Sequence, residues 1–341
     1  MYSSSVADAP QIREPLHAPV AHLVRDGVVE GIHYGSVVVL DAEGQVRLQL
    51  GDIEAAFYPR SALKPVQAVA MVRAGLPLDG ELLSLAAASH SGEERHLAGA
   101  RRILGLAGLT EDHLRNVPDL PFGAEVRDAW IRDGRPPSRL AQNCSGKHAA
   151  MLYTCALNGW SLDDYLDPGH PLQQAIAEIV EDLTGQRVAR VTVDGCGAPL
   201  FSVSLHGLAR AAARVTTAAP GTPEARVADA MRAHPEMASG AGRDVAALMG
   251  AVPGLLAKDG FEGVEVAALP DGRAVAVKIS DGANRARIPV TAAALARAGA
   301  DPGALAAFAG EELLGGGRPV GAVRVVRALD PLPQASSAPG H

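Results

Sequence analysis

Strand-like segments stand near both ends of this chain, and most of what lies between them is helical in pattern. Near the start, GSVVVLDAEGQVRLQLGD reads as two strands joined by a short turn at Ala42-Glu43-Gly44. Near the end, VEVAALPDGRAVAVKISDG repeats the pattern around Pro270-Asp271-Gly272. Alternation along the last strand puts Val275, Val277 and Ile279 on one face and Ala276, Lys278 and Ser280 on the other. In the middle, PVQAVAMVRAG, ERHLAGARRILGLAG, KHAAMLYTCALNG and PLQQAIAEIVEDLTG have helical spacing and each closes on a glycine. VARVTVDGCG reads as another strand running into a turn, and TTAAPGTPEAR as an interior loop or linker. Such a chain completes its sheet by bringing its two ends together. The expected fold is α/β of the α+β type: one mainly antiparallel sheet built from both termini and flanked by helices.

At about 150 residues per domain, a chain of 341 residues makes two domains or one large unit. A shared sheet favours one domain, over residues 16–330, with a helical central region at about 65–260. Residues 1–15 and the Pro/Ser-rich tail 331–341 are expected to be loose. Apolar residues make up 48% of the chain, enough for a sizeable core. The net charge of −7 argues against nucleic acid as a partner, because that needs a basic face. Three cysteines make no disulfide framework. No stretch approaches the ~18 apolar residues of a membrane span, and the start lacks the basic and apolar regions of a signal peptide. The expectation is a soluble, cytoplasmic protein with no membrane partner.

Of the 31 basic residues only four are lysines: Lys64, Lys147, Lys258 and Lys278. Codon bias toward arginine explains the general trend. Under that bias a lysine with only surface work drifts to arginine, whereas one that must lose its proton does not, because guanidinium stays charged. The four that remain are therefore candidates for chemistry.

Ser61 and Lys64 form a Ser-x-x-Lys spacing at the start of an apolar helical segment, beside Arg60 and before Pro65. Residues i and i+3 share a helix face, and a neutral amine there accepts the hydroxyl proton without a histidine. The plain alternative is a helix-capping serine with a solvated lysine. Ser89, in AASHSGE, is either a second, proton-relaying hydroxyl or part of a helix cap. Cys144 and Lys147 in QNCSGKH, and Cys196 between two glycines in DGCGAP, are either metal ligands or small buried thiols. Cys155 lies on a helical stripe with Met151 and Leu152 and reads as core. Lys258 follows an apolar run and reads as a charge at a helix C-terminus. Lys278 is either cleft-facing or an edge-strand solubility charge.

Taken together, RSALKP, SHSGE, NCSGKHAAML, DGCGAPLFSVSL, GAGRDVAALM, KDGFEGV and KISDGANRA resemble the L-asparaginase II family, the rhizobial or class 3 type, from about residue 20 to 328. The resemblance implies a fold like that of serine β-lactamases, transpeptidases and serine glutaminases. It implies that Ser61 with Lys64 and Ser89 with Lys258 are two catalytic Ser-Lys pairs, and that Cys144, Lys147 and Cys196 bind zinc. It further implies that Arg60 and Asp194 contact the substrate and that the protein is a homodimer. Some relatives carry a cysteine beside the arginine of the GxxR segment; here Asp244 follows Arg243.

The activity so implied is hydrolysis of the L-asparagine side-chain amide to aspartate and ammonia. Ser61 is the nucleophile, Lys64 its base, and the amides of Ser61 and of the strand near Ser280 hold the oxyanion. Zinc in this reading shapes the pocket and is not the Lewis acid. The rivals are a serine glutaminase or penicillin-recognising acylase and, in a different class, a non-catalytic amino-acid sensor.

Overall fold

The computed structural model describes residues 14–330. Most of the loose N-terminal segment and all of the tail lie outside the described residues. Among the described residues ten strands are formed: β1 (Ala18–Arg25), β2 (Val28–Leu40), β3 (Val46–Leu50), β4 (Val191–Val193), β5 (Pro199–Phe201), β6 (Leu256–Gly260), β7 (Val264–Ala268), β8 (Ala274–Ile279), β9 (Glu311–Gly315) and β10 (Arg318–Val325). The middle supplies α1 (Lys64–Arg73), α2 (Gly80–Ala86), α3 (Glu94–Leu106), α4 (Ala124–Arg132), α5 (Ser145–Asn158) and α6 (Pro171–Thr184). It continues through α7 (Leu205–Thr216), α8 (Pro223–Ala233), α9 (Pro235–Ala238) and α10 (Asp244–Ala251), and α11 (Asn284–Arg297) and α12 (Pro302–Leu305) follow the last buried strand.

The main sheet has the strand order β6-β7-β8-β2-β1-β10-β9, with β3 paired to β2. Every pairing is antiparallel. The two ends of the chain do share one sheet, because the N-terminal hairpin inserts between strands of the C-terminal half. The sequence reading missed β1. It is joined to β2 by a two-residue turn in which Asp26 and Gly27 both have positive φ (44° and 79°), the backbone that tight hairpins require. The linker reading of residues 216–226 holds for the short loop after α7, but Pro223 onward begins α8, with Thr222 as its cap.

Val37–Leu40 of β2 and Ala274–Val277 of β8 are buried residue after residue. A strand with no wet face needs cover on both sides. Helices α7 and α11 supply it, both packing on β2 and β8. The sheet therefore lies between α7 and α11. No helix among the described residues is long and apolar enough to cross a membrane.

Strand β6 forms one edge of the sheet, and a 3-10 turn at Arg60–Leu63 packs against it. Gly260 permits that approach: a Cβ there would stand 2.4 Å from the Pro59 carbonyl and 3.2 Å from the Ala62 amide nitrogen. The turn that presents Arg60 and Ser61 is thus seated on the end of the strand that carries Lys258.

In the centre of the sheet, Gly35 of β2 faces Ile279 of β8, and a Cβ at Gly35 would meet the Lys278 carbonyl at 2.4 Å. Gly35→Ala should cost about 1–3 kcal/mol of stability, read as a lower urea midpoint with no change in the slope. An unchanged midpoint would show that β2 and β8 are not this closely registered.

Candidate active site

Where the helical middle meets the β6 edge there is an open cavity of about 610 Å³. Ser61 reaches its wall from the 3-10 turn and Ser89 from the segment between α2 and α3. Cys144 comes from the N-cap of α5, and Asp194 and Cys196 from the β4–β5 turn. Six of the nine residues singled out in the sequence therefore line one cavity: Arg60, Ser61, Ser89, Cys144, Asp194 and Cys196. The other three, Lys64, Lys147 and Lys258, stand behind its wall, each only 1% exposed.

Lys64 is the first residue of α1, with Pro65 in the first turn where its missing N–H costs nothing. Its Nζ lies 2.6 Å from the Ala88 carbonyl, 2.9 Å from Ser89 Oγ and 3.0 Å from Cys144 Sγ. Among the described residues none of its hydrogen bonds goes to Ser61. In this geometry the hydroxyl that Lys64 holds is that of Ser89, while Ser61 stands half-buried on the cavity wall.

Lys258 is not at a helix end. It sits in mid-strand on β6, where Asp259 accepts from its Nζ through both the carboxylate and the backbone carbonyl, the latter at 2.9 Å. The expected Ser89–Lys258 bond is replaced by this pair, because the neighbouring carboxylate reaches the amine first. Burial, with the charges of Lys64 and Arg243, brings the Lys258 amine down to about 8 even though Asp259 opposes the shift. Lys278 is half-buried and donates to the Glu262 and Ile279 carbonyls at 2.6 and 2.7 Å, away from this cavity. The amide of Ser280 is spent on the Tyr34 carbonyl at 2.8 Å, so it is not free to hold an oxyanion.

Arg60 has φ 53°, a left-handed backbone that a non-glycine residue adopts only when its surroundings hold it there. Two contacts do so: its Nε donates to Asp194 Oδ1 at 2.6 Å, and its guanidinium lies 5.3 Å from the centre of the Phe261 ring. Burial disfavours charge on Asp194, but Lys147 and Arg60 outweigh it and keep the carboxyl below its usual range.

Cys144, Cys196 and Ala198 form a small buried cluster of their own, with Leu166 against it. Lys147 Nζ lies 3.4 Å from Cys196 Sγ. A hydrogen bond from Cys144, with the Lys147 charge beside it, brings the Cys196 thiol down to about 5 against the opposing effect of burial. The same bond, with burial, drives Cys144 upward. Cys196 is thus the more acidic of the two sulfurs, and Cys144 Sγ also donates to Asn143 Oδ1 at 3.2 Å. Burial works against charge on Lys147, but Cys196 and Cys144 outweigh it, so the amine is held protonated as the thiolate's counter-ion. Two convergent sulfurs with an amine beside them are a donor set that suits a soft divalent ion. The lysine would have to give up its proton to join. Among the described residues no group of three His, Cys, Asp or Glu side chains gathers to hold a metal.

Two residues quoted in the motifs without a role turn out to tie the site together. Arg243 donates to the Ser89 carbonyl at 2.6 Å and to Asp259 Oδ2 at 2.5 Å, and it lies 4.8 Å from the centre of the Phe122 ring. Asp259 thereby bridges Lys258 and Arg243, and those cations with Arg287 hold it well below the usual carboxylate range despite burial. A charged pair inside the apolar strand at Lys258-Asp259 was the available signal. Beyond them, Arg287 is paired with both Glu265 and Asp244.

The L-asparaginase II family model matches residues 21–325. No curated protein matches. Among solved structures the chain is similar to Mglu in its native form, at 17% identity over 76% of this chain and 62% of that one, with a TM-score of 0.41. It is similar to a β-lactamase from Mycobacterium bovis, at 13% identity over 77% and 94% with a TM-score of 0.41. It is similar to a Bacillus glutaminase, at 13% identity over 74% and 85% with the same TM-score of 0.41. The chain spans less than two thirds of the length of the Mglu structure. At such scores these likenesses fix no residue's role.

The acidity of Cys196 is directly measurable. In metal-free protein the ultraviolet absorbance of one thiolate should appear with a midpoint near pH 5, and Cys196→Ala should remove it. A first thiolate appearing only near the ordinary thiol value of 9.0 would contradict the pairing.

Proposed function

The chain belongs to the L-asparaginase II family, and from that premise we propose that it hydrolyses the side-chain amide of free L-asparagine through an acyl-enzyme on Ser61. The observation that carries this reading is the Lys64–Ser89 bond of 2.9 Å placed behind a cavity wall that includes both Ser61 and Ser89. It gives one cleft a candidate nucleophile, a second hydroxyl and a buried amine able to exchange protons with them.

In the proposed sequence Ser61 Oγ attacks the amide carbon and its proton passes through Ser89 Oγ to Lys64 in its neutral form. The oxyanion is held by the Ser61 amide and by the end of β6 at Gly260–Phe261, the strand on which the Ser61 turn is seated. This replaces the assignment to Ser280. Ser89, kept in place by Lys64, hands a proton to the departing ammonia. Lys64, bonded to Ser89 Oγ at 2.9 Å, recharges that relay, while Lys258, held by Asp259, adds positive charge behind the wall. Water then attacks the β-aspartyl ester, giving up its proton to the same amines, and releases aspartate. Arg60 and Asp194 take the substrate's carboxylate and ammonium, their mutual bond keeping both pre-oriented.

Zinc, if part of the working enzyme, would be held by Cys144, Lys147 and Cys196, and when bound it supplies a fixed positive charge that stiffens this wall. Glutamine is the nearest rival substrate. A pocket separates two substrates differing by one methylene by only about 1–3 kcal/mol, so both amides belong in the same assay.

Ser61→Ala should cut ammonia release from asparagine by at least about 10³-fold, and Lys64→Arg should be nearly as damaging as Lys64→Ala, because it keeps charge and loses basicity. Full turnover by Ser61→Ala would move the nucleophile to Ser89. An active Lys64→Arg would remove the amine from the proton path.

A further inference from the structure

The cavity is larger than asparagine fills. Its volume of about 610 Å³ corresponds to roughly 20 water-sized positions at ~30 Å³ each, about twice the number of heavy atoms in asparagine. Arg60, braced by Asp194 and Phe261, lines the cavity and in the proposed reading takes the amino-acid head of the substrate. Arg243 also lines it. It is braced by Asp259 and Phe122 and bonded to the Ser89 backbone, beside the hydroxyl that protonates the leaving nitrogen.

Among the described residues Arg243 has one carboxylate partner, Asp259, which it shares with Lys258. Of the other acids on the wall, Asp194 is engaged by Arg60, Asp244 by Arg287, and Asp119 accepts from the Leu120 amide at 2.8 Å. Arg243 uses Nη1 and Nη2 on the Ser89 carbonyl and Asp259, and among the described residues its Nε has no partner. Asparagine has one carboxylate, which Arg60 takes, so it offers nothing to a second arginine.

We propose that the same site also cleaves β-aspartyl dipeptides, in which the asparagine amide nitrogen carries a second amino acid whose carboxylate is read by Arg243. The inference rests on the amidohydrolase reading above. Ser61 Oγ forms the ester bond to the β-carbonyl carbon, and the isopeptide C–N bond breaks. The departing amino acid takes the relayed proton on its nitrogen, and water then hydrolyses the ester. The products are aspartate and the second amino acid in place of ammonia.

The test uses the purified full chain and three substrates: L-asparagine, β-aspartyl-alanine and β-aspartyl-alanine amide. Release of aspartate is followed for each. The proposal expects kcat/KM for β-aspartyl-alanine within about tenfold of that for asparagine, and Ser61→Ala to abolish both. It also expects the C-terminal amide to be at least about tenfold poorer than the acid, since it lacks the charge that Arg243 binds. Turnover of asparagine with the dipeptide about a thousandfold slower would overturn the proposal and leave the asparaginase reading intact. Equal rates for the acid and its amide would also overturn it, by removing the second carboxylate site. Folded protein that cleaves none of the three would overturn the underlying reading as well.

Discussion

Three lysine side chains are buried in one region of this protein, and the site is organised around accommodating them. An amine deprived of water must be neutral or must find acceptors. Each solves the problem differently: Lys64 with a carbonyl, a hydroxyl and a sulfur, Lys147 with a thiolate, and Lys258 with the carboxylate next to it in the chain. The acceptors they recruit come from the segment after α2, the N-cap of α5, the β4–β5 turn and β6, so satisfying the amines draws the helical middle and the sheet edge onto one cavity. Removing a partner leaves a buried charge uncompensated, which is more damaging than losing a surface ion pair.

This constraint left a trace in the sequence. In a chain that otherwise uses arginine, the scarcity of lysine singled out these positions, and three of the four are buried in the structure. The sheet built from both termini was legible for a similar reason: β2, β7 and β8 are dense in apolar residues with turn residues between them. β1 was not, because its half-exposed pattern carries little periodic signal. Lys258 was misread as a helix-end charge because a buried edge strand shows no alternation; the turn seated against it, with α8 and α10, buries Leu256–Gly260.

Pairings between distant segments were the least legible part. Arg243 meets the Ser89 carbonyl across more than 150 residues of chain, and its bond to Asp259 depends on how β6 is seated. Ser280 shows the reverse failure. It stands in a suggestive motif, yet its amide is consumed by the Tyr34 carbonyl. The Ser-x-x-Lys spacing placed both residues at the right end of α1, but the 3-10 geometry of the turn leaves Ser61 on the wall while Lys64 reaches past it to Ser89. Family membership supplied what spacing did not: a reason to treat all the scattered motifs as one site.

The division of labour between the two serines is the account's central claim, and it is open to direct observation. Protein mixed with asparagine and quenched in acid within one turnover can be digested and read by mass spectrometry for the β-aspartyl ester. The account expects the adduct on the peptide at Ser61 and unmodified Ser89. An adduct on Ser89, the hydroxyl that Lys64 actually holds, or turnover with no serine adduct at all, would contradict it.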